Sequence, residues 1–203
     1  MAKKFLSPEE VTELILSLPS KPLEKRVNYR GFSIMVTMPC WNEEGKVGQG
    51  VSAVPKSLVD TVCVVDNGSI DKTAKEANDA GALVISHPMN MGAGGGIRSG
   101  LEYGRLNNYD ILAVLAGDNQ DDPNDLFQAV DLLIDDNLDY VQGSRWMKGG
   151  RRENMTLSRT ILTWLYSLFF RVLFKAEITD ATNGFRVFKK EILIHLENEL
   201  NYS

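Results

Sequence analysis

The sequence predicts an α/β chain, with a mostly parallel central sheet covered by helices on both faces. Three observations carry this expectation. Five short runs of apolar and β-branched residues alternate with stretches of helical character, and near-continuous apolar strands mark a sheet buried on both sides. Each of the first four runs opens directly into a loop rich in Asn, Asp, Gly and Ser. At 203 residues, 43% hydrophobic and 24% charged, the chain is long enough to bury one substantial core.

Residues 1–30 read as an N-terminal helical extension and residues 31–203 as one domain. In the extension Ser7 can cap a helix, Pro8 suits its first position and Glu10 completes a Ser-x-x-Glu capping box, with Pro19 and Pro22 ending it. Acidic residues interrupt the same segment and its apolar run is short, which excludes a signal peptide. Strands are then expected at 32–38, stopped by Pro39, and at 59–65, 81–87, 109–116 and 138–144. Helices are expected near 46–54 and over 71–80, 95–107 and 123–136. Right-handed crossovers between these units wind the sheet in both directions.

That architecture places ligands outside the carboxyl ends of the strands. The loops "PCWNEE", "DNGSIDKT", "PMNMGAGGG" and "GDNQDDP" all fall there, and four such loops on one edge make a site rather than a set of turns. In the second loop, helix capping accounts for Ser69 or Asp71 but leaves Asp66 unexplained. A carboxylate at that point can accept from a nucleobase N–H or a ribose hydroxyl. The third loop fails the dinucleotide fingerprint, because Ile97 stands where the third glycine is needed, and it lacks the Gly-Lys-Ser/Thr of a P-loop. Its glycines allow a tight turn or close backbone approach to a ligand or a neighbouring helix, and Arg98 faces either a phosphate or solvent.

The fourth loop is the sharpest signal. Asp118 and Gln120 alternate, so in extended backbone their side chains point the same way. A carboxylate and an amide oxygen suit a hard divalent cation that takes further ligands from diphosphate and water. The competing account is an Asx turn ahead of the helix at Pro123, which Asp121 or Asp122 alone could supply.

Several classes are excluded. A net charge of −5 gives no reason to expect nucleic-acid binding. Two histidines, His87 and His195, make a histidine-based zinc site improbable. Cys40 and Cys63 lack CxxC spacing and read as free thiols in a reducing cytosol.

The ordered motifs "MPCWNEE", "VVDNGSIDKT", "NMGAGGGIRSGL", "GDNQDDP", "GSRWMKGG" and "DATNGFRVF" resemble those of family-2 glycosyltransferases, most closely the polyprenyl-phosphate enzymes typified by dolichyl-phosphate mannose synthase. The resemblance runs from about Ser33 to Ile194 and implies the GT-A fold, a Rossmann-like α/β domain. It implies inverting transfer of a hexose from a UDP- or GDP-linked sugar to a polyprenyl phosphate, with Mg²⁺ or Mn²⁺ holding the diphosphate. By position it assigns Pro39, Trp41, Asn42, Glu43, Asp66, Asn67, Gly68, Asn90, Gly92, Arg98, Gly117 and Asp118 to the nucleotide sugar. Asp118 and Gln120 match the metal ligands, and Arg145, Arg159 and Thr163 match residues that bind the acceptor phosphate. Trp41 stands in a tyrosine place, Asn67 replaces a common second aspartate, and Ala116 stands where the usual Asp-x-Asp begins. Asp180 is the candidate base for a hydroxyl acceptor, or else anchors its loop through Arg186 or backbone N–H groups. The C-terminal part is shorter than the family pattern implies. A soluble transferase with a sugar or protein hydroxyl acceptor, and a non-catalytic nucleotide-sugar-binding remnant, are the alternatives. A sugar-phosphate nucleotidylyltransferase lacks support, because its glycine-rich signature is missing near the first strand.

Between Arg145 and Lys175 seven basic side chains meet only Glu153. On a helical wheel, residues 155–175 place Thr156, Arg159, Thr160, Thr163, Ser167 and Arg171 on one narrow stripe opposite a wide apolar face. The segment is too short and interrupted to span a bilayer. It is expected to lie at a membrane surface, placing the protein peripherally at the cytosolic face, or to pack in a core or against a second copy of the chain.

Overall fold

The structure, a computed structural model of the chain, describes residues 7–18, 26–147, 150, 157–175 and 179–193, the side chains of 8, 157–159 and 174 excepted. Helix α1 (Pro8–Leu16) opens with the expected capping box: Glu10 N–H donates to Ser7 Oγ at 3.2 Å and Ser7 N–H to Glu10 Oε2 at 2.7 Å. Pro19 and Pro22, expected to end it, lie outside the described residues. The chain continues as β1 (Ile34–Cys40), α2 (Val47–Ala53), β2 (Thr61–Asp66), α3 (Thr73–Asp79), β3 (Leu83–Ser86), α4 (Gly92–Leu106), β4 (Ile111–Val114), α5 (Asp125–Asp135), β5 (Tyr140–Gln142), α6 (Leu157–Phe174) and β6 (Arg186–Lys189).

The six strands form one sheet in the order β3-β2-β1-β4-β6-β5. β1 to β4 are parallel neighbours, whereas β6 enters between β4 and β5 and runs antiparallel to both. Strand β6 was not among the expected strands. Side chains alternate to two cores. Ile34, Val36, Ala113 and Val187 pack under α2, α3 and α5, while Met35, Val65, Leu112 and Phe188 pack under α1 and α4. Val11 and Ile15 of α1 belong to the second core, so the N-terminal extension is fastened to the sheet domain.

Pro39 does not stop β1, contrary to expectation. Thr37 C=O accepts from Leu115 and Cys40 C=O from Asn67, so odd residues face β4 and even residues face β2. Pairing with β4 ends at Thr37 and Val114, and the missing Pro39 N–H therefore falls where no neighbour requires it.

The glycines of α4 serve helix approach. A Cβ at Gly96 would lie 3.0 Å from Pro39 Cβ, and Cβ atoms at Gly100 and Gly104 would overlap Thr37 Cγ2 and Leu112 Cδ2. Spaced four apart, they let α4 lie on β1 and β4 with its first turn at the strand ends.

Candidate active site

The loops after β1 and β2 are laced together. Asn42 N–H donates to Ser69 Oγ at 2.9 Å and Asn42 Oδ1 accepts from Ile70 N–H at 3.0 Å. Glu43 N–H donates to Thr73 Oγ1 at 2.8 Å, and Glu44 N–H to Asp71 Oδ2 at 3.2 Å. Glu76 of α3 receives the Gly45 and Gly48 N–H groups at 2.6 and 3.1 Å. Ser69 and Asp71, read from sequence as helix caps, thus hold the neighbouring loop as well, together with Thr73. Trp41 is left 53% exposed on this rim, and Ile70, which sequence reasoning passed over, is exposed beside the bond that Asn42 makes to its N–H.

Asp66 is buried at the tip of β2, and its Oδ1 accepts Ser69 N–H at 3.0 Å. Gly68 follows at φ 74°, where a Cβ would come within 2.5 Å of the Met89 carbonyl carbon. Glycine there permits both the left-handed turn and the contact between the second and third loops.

Asn67 corrects an expectation. Its side chain turns inward: the residue is 3% exposed, and its amide is spent on the third loop. Nδ2 donates to Asn90 Oδ1 at 3.1 Å and to Gly92 C=O at 2.9 Å, while Oδ1 accepts from Met91 N–H at 2.9 Å and pairs with His87 Nδ1 at 2.9 Å. An aspartate here would lose both donors. Asn90 is half-buried and its Oδ1 also accepts Gly92 N–H at 2.8 Å. Arg98 is exposed two turns into α4.

The fourth loop is a turn, not the extended backbone expected. Asn119 sits at φ 64°, and Gln120 donates to Asp118 through its backbone N–H (3.2 Å to Oδ1) and its side-chain amide (to Oδ2). Asp118 and Gln120 are still brought together, by contact rather than by alternation. Gly117 lies against the Cys40 sulfur, where a Cβ would not fit. The first place of the usual acidic motif is Ala116, whose N–H donates to Asp121 Oδ2 at 2.8 Å. Burial lifts the Asp121 carboxyl above its ordinary range despite that bond, and Asp118 adds to the rise. Nothing in the local sequence separated Asp121 from a simple cap.

Electrostatics shows that the strand ends converge. Burial, then Glu43, Asp66 and Asp118, push the Cys40 thiol up to about 12. Three carboxylates from the ends of β1, β2 and β4 therefore act on one sulfur. Lys46 is held protonated by Glu43 at 3.0 Å and, more weakly, by Asp118.

The antiparallel edge carries a second cluster. Asp180 is 1% exposed, and Arg145 grips it through Nε (2.7 Å to Oδ2), Nη2 (2.9 Å to Oδ1) and its backbone N–H (3.1 Å to Oδ2). Arg145 Nη2 also donates to Thr182 Oγ1 at 2.6 Å. Burial alone would raise the Asp180 carboxyl, but the hydrogen bonds and charge of Arg145 hold it below its ordinary value. Of the two readings of Asp180, general base or loop anchor, the geometry favours the anchor, made by the Arg145 side chain rather than Arg186 and by the backbone N–H groups of Arg145 and Thr182. Any phosphate reaching Arg145 would compete with Asp180. Thr163 is buried and donates to Thr160 C=O at 3.1 Å, so its hydroxyl is not presented to an acceptor. The Arg159 side chain lies outside the described residues.

Asp118 and Gln120 lie together as candidate donors for Mg²⁺ or Mn²⁺. One carboxylate and one amide oxygen, adjacent and partly accessible, have the hard-donor chemistry such ions prefer. Among the described residues no group of three or more His, Cys, Asp or Glu could hold a metal ion. The pair fits a cation as the protein's share of a coordination shell that a diphosphate and water complete.

Comparison with known proteins accords with this geometry. The model of Glycosyl transferase family 2 matches residues 35–197. An undecaprenyl-phosphate mannosyltransferase of Micrococcus luteus is 29% identical over 79% of this chain and 68% of its own length. A UDP-N-acetylglucosamine–dolichyl-phosphate N-acetylglucosaminyltransferase of Methanococcus voltae is 27% identical over 82% of this chain and 73% of its own. Among solved structures, glucosyl-3-phosphoglycerate synthase of Mycobacterium tuberculosis, in complex with Mn²⁺, UDP-glucose and phosphoglyceric acid, superimposes with a TM-score of 0.64 at 20% identity. That match covers 94% of this chain and 64% of the other, and it shows the shared GT-A fold. The chain spans about two thirds of the length of the curated relatives that match most of it, from 62% to 73%.

Proposed function

The chain belongs to glycosyl transferase family 2, and on that premise we propose that it transfers a hexose from a nucleoside diphosphate sugar to the phosphate of a polyprenyl lipid. Helix α6 is the observation that carries the lipid acceptor. It is inside out: Thr163 and Ser167 are buried, with Ser167 Oγ accepting Ala181 N–H at 3.1 Å, while Leu162, Trp164, Leu165, Phe169, Val172 and Leu173 face outward. A helix that hides its hydroxyls and exposes its apolar face suits a lipid surface beside the site. Among the described residues no helix is long and apolar enough to cross a membrane, so α6 would lie in the interface, at the cytosolic face. The names of the two polyprenyl-phosphate relatives point the same way.

The donor would lie along the strand ends, its base near Trp41 and Asp66 and its diphosphate near Asp118, Gln120 and the loop of Asn90 and Gly92. Asp118 and Gln120 would hold Mg²⁺ or Mn²⁺, which when bound offsets charge on the leaving diphosphate. The polyprenyl phosphate is anionic near neutral pH and attacks the anomeric carbon without a strong base. A hydroxyl acceptor would need one, a role that the burial and pairing of Asp180 do not favour.

The test is transfer from labelled UDP- and GDP-sugars, with Mn²⁺, to undecaprenyl or dolichyl phosphate in vesicles, beside soluble sugar and glyceric-acid acceptors. Label is expected in the lipid phosphate alone; transfer only to a soluble hydroxyl would overturn the acceptor. Asp118→Ala is expected to abolish transfer while the melting temperature stays put. Full turnover in that variant would remove Asp118 from the metal site.

A further inference from the structure

We infer that His87 is a positioning residue, which holds the third loop of the donor site through Asn67. The inference rests on the donor-site reading for its consequence but not for its geometry. His87 closes the end of β3, is 4% exposed, and its N–H donates to Asp66 C=O at 2.8 Å. Its ring bridges Asn67 Oδ1 and Ser99 Oγ of α4, both at 2.9 Å.

The hydrogen bonds fix which atom carries the proton. Met91 N–H can only donate, so the Asn67 atom that it meets is the carbonyl oxygen. The Asn67 amide nitrogen faces two acceptors, Asn90 Oδ1 and Gly92 C=O, which confirms that orientation. His87 Nδ1 must therefore carry a hydrogen to meet the same Oδ1. Burial lowers the affinity of the ring for a second proton, against a smaller opposing pull from Asp66. Nε2 is then an acceptor, and the Ser99 hydroxyl, which also lies 3.2 Å from Gly95 C=O within α4, donates to it over the shorter 2.9 Å contact.

One node thus joins the tip of β2, the tip of β3 and the start of α4. Asn67 can grip residues 90–92 in one orientation only, and His87 supplies the donor that holds it there. Freed from His87, the amide keeps its partners at residues 90–92 but loses one of the four contacts that hold its orientation, and Met91 N–H loses a stationary acceptor. Asn90 and Gly92 are the two donor-site residues that move with it.

Two isosteric replacements separate the ring's two contacts. In His87→Asn the side-chain NH₂ takes the place of Nδ1 and keeps the bond to Asn67. In His87→Gln the side-chain amide takes the place of Nε2, its oxygen accepting from Ser99, and abandons Asn67. Amide hydrogen exchange at Met91 and Gly92, read without ligand, is expected to accelerate tenfold or more in His87→Gln and less than threefold in His87→Asn. Ser99→Ala should resemble His87→Asn. The Kd for the donor nucleotide, measured by calorimetry with UDP- and GDP-sugars and Mn²⁺, is expected to weaken about tenfold in His87→Gln alone. Melting temperatures of the two His87 variants check that both fold. Equal exchange at Met91 and Gly92 in both, or faster exchange in the Asn variant, would overturn the inference. A wild-type protein that binds no nucleotide sugar but shows the unequal exchange pattern would leave the lock standing and remove the donor site.

Discussion

Arg145 and Asp180 meet with the carboxylate fully enclosed and the guanidinium 18% exposed. Breaking such a pair from one side leaves a charge without its partner, which costs about 3 kcal/mol or more. Asp180→Asn keeps the shape and removes the charge, so urea unfolding at pH 7 is expected to show a loss of roughly that size. The pH dependence has a definite sign. The folded carboxyl titrates below its ordinary value of 3.8, so its stabilisation is present above that value and is lost as pH falls through the lowered folded pKa. The gap between wild type and variant should therefore be widest near neutrality and close in strong acid; a constant gap would assign the loss to packing. At this scale the sequence was only half legible. Asp66, Asp118 and Gln120 stood out because strand-end loops collect ligands. The inward turn of Asn67 and the grip of Arg145 on Asp180 depend on partners 20 and 35 residues away, His87 and Asp180 itself, and no local pattern announces them.

Helix α4 is glycine-rich where it lies closest to the sheet. Gly100 faces Thr37, whose Oγ1 is buried with no hydrogen-bond partner among the described residues. Gly100→Ala must push α4 off β1 and is expected to destabilise by about 1–3 kcal/mol. Adding Thr37→Ala removes the colliding methyl without breaking a hydrogen bond, so it should recover part of the loss in thermal unfolding. Gly94 is the control: a Cβ there meets nothing within 4 Å, and Gly94→Ala should stabilise by about 0.5–1 kcal/mol through helix propensity. If both glycine variants shift stability alike, close approach is not what Gly100 provides. Elements of this kind were largely readable. β1, β2 and β4 are largely buried and show as near-continuous apolar runs, and α1 announces itself through Ser7, Pro8 and Glu10. Strand β6 is four residues, Arg186–Lys189, with only its two middle side chains buried. Its place between β4 and β5 is a tertiary choice that so short a run does not encode.

For the whole molecule the question is what covers the outer face of α6. The chain carries a net charge of −5 and would be repelled by an anionic bilayer if its charge were uniform. In sequence seven basic residues lie between Arg145 and Lys175 against Glu153 alone, and of these Arg171 and Lys175 are exposed near the end of α6, which would let this side of the protein approach lipid on the proposed reading. Burying an aliphatic or aromatic side chain is worth roughly 1.5–3 kcal/mol, and each 1.4 kcal/mol is about tenfold in a partition constant. Replacing Leu165 and Phe169 together by glutamate should therefore lower co-flotation with vesicles containing anionic lipid by about a hundredfold or more. Both side chains are exposed, so the melting temperature should not fall. Salt should weaken wild-type flotation only in part, because the apolar contribution is not screened. If the double variant floats as well as wild type but loses a dimer in sedimentation, the face meets a second copy of the chain, and the lipid acceptor loses its main support.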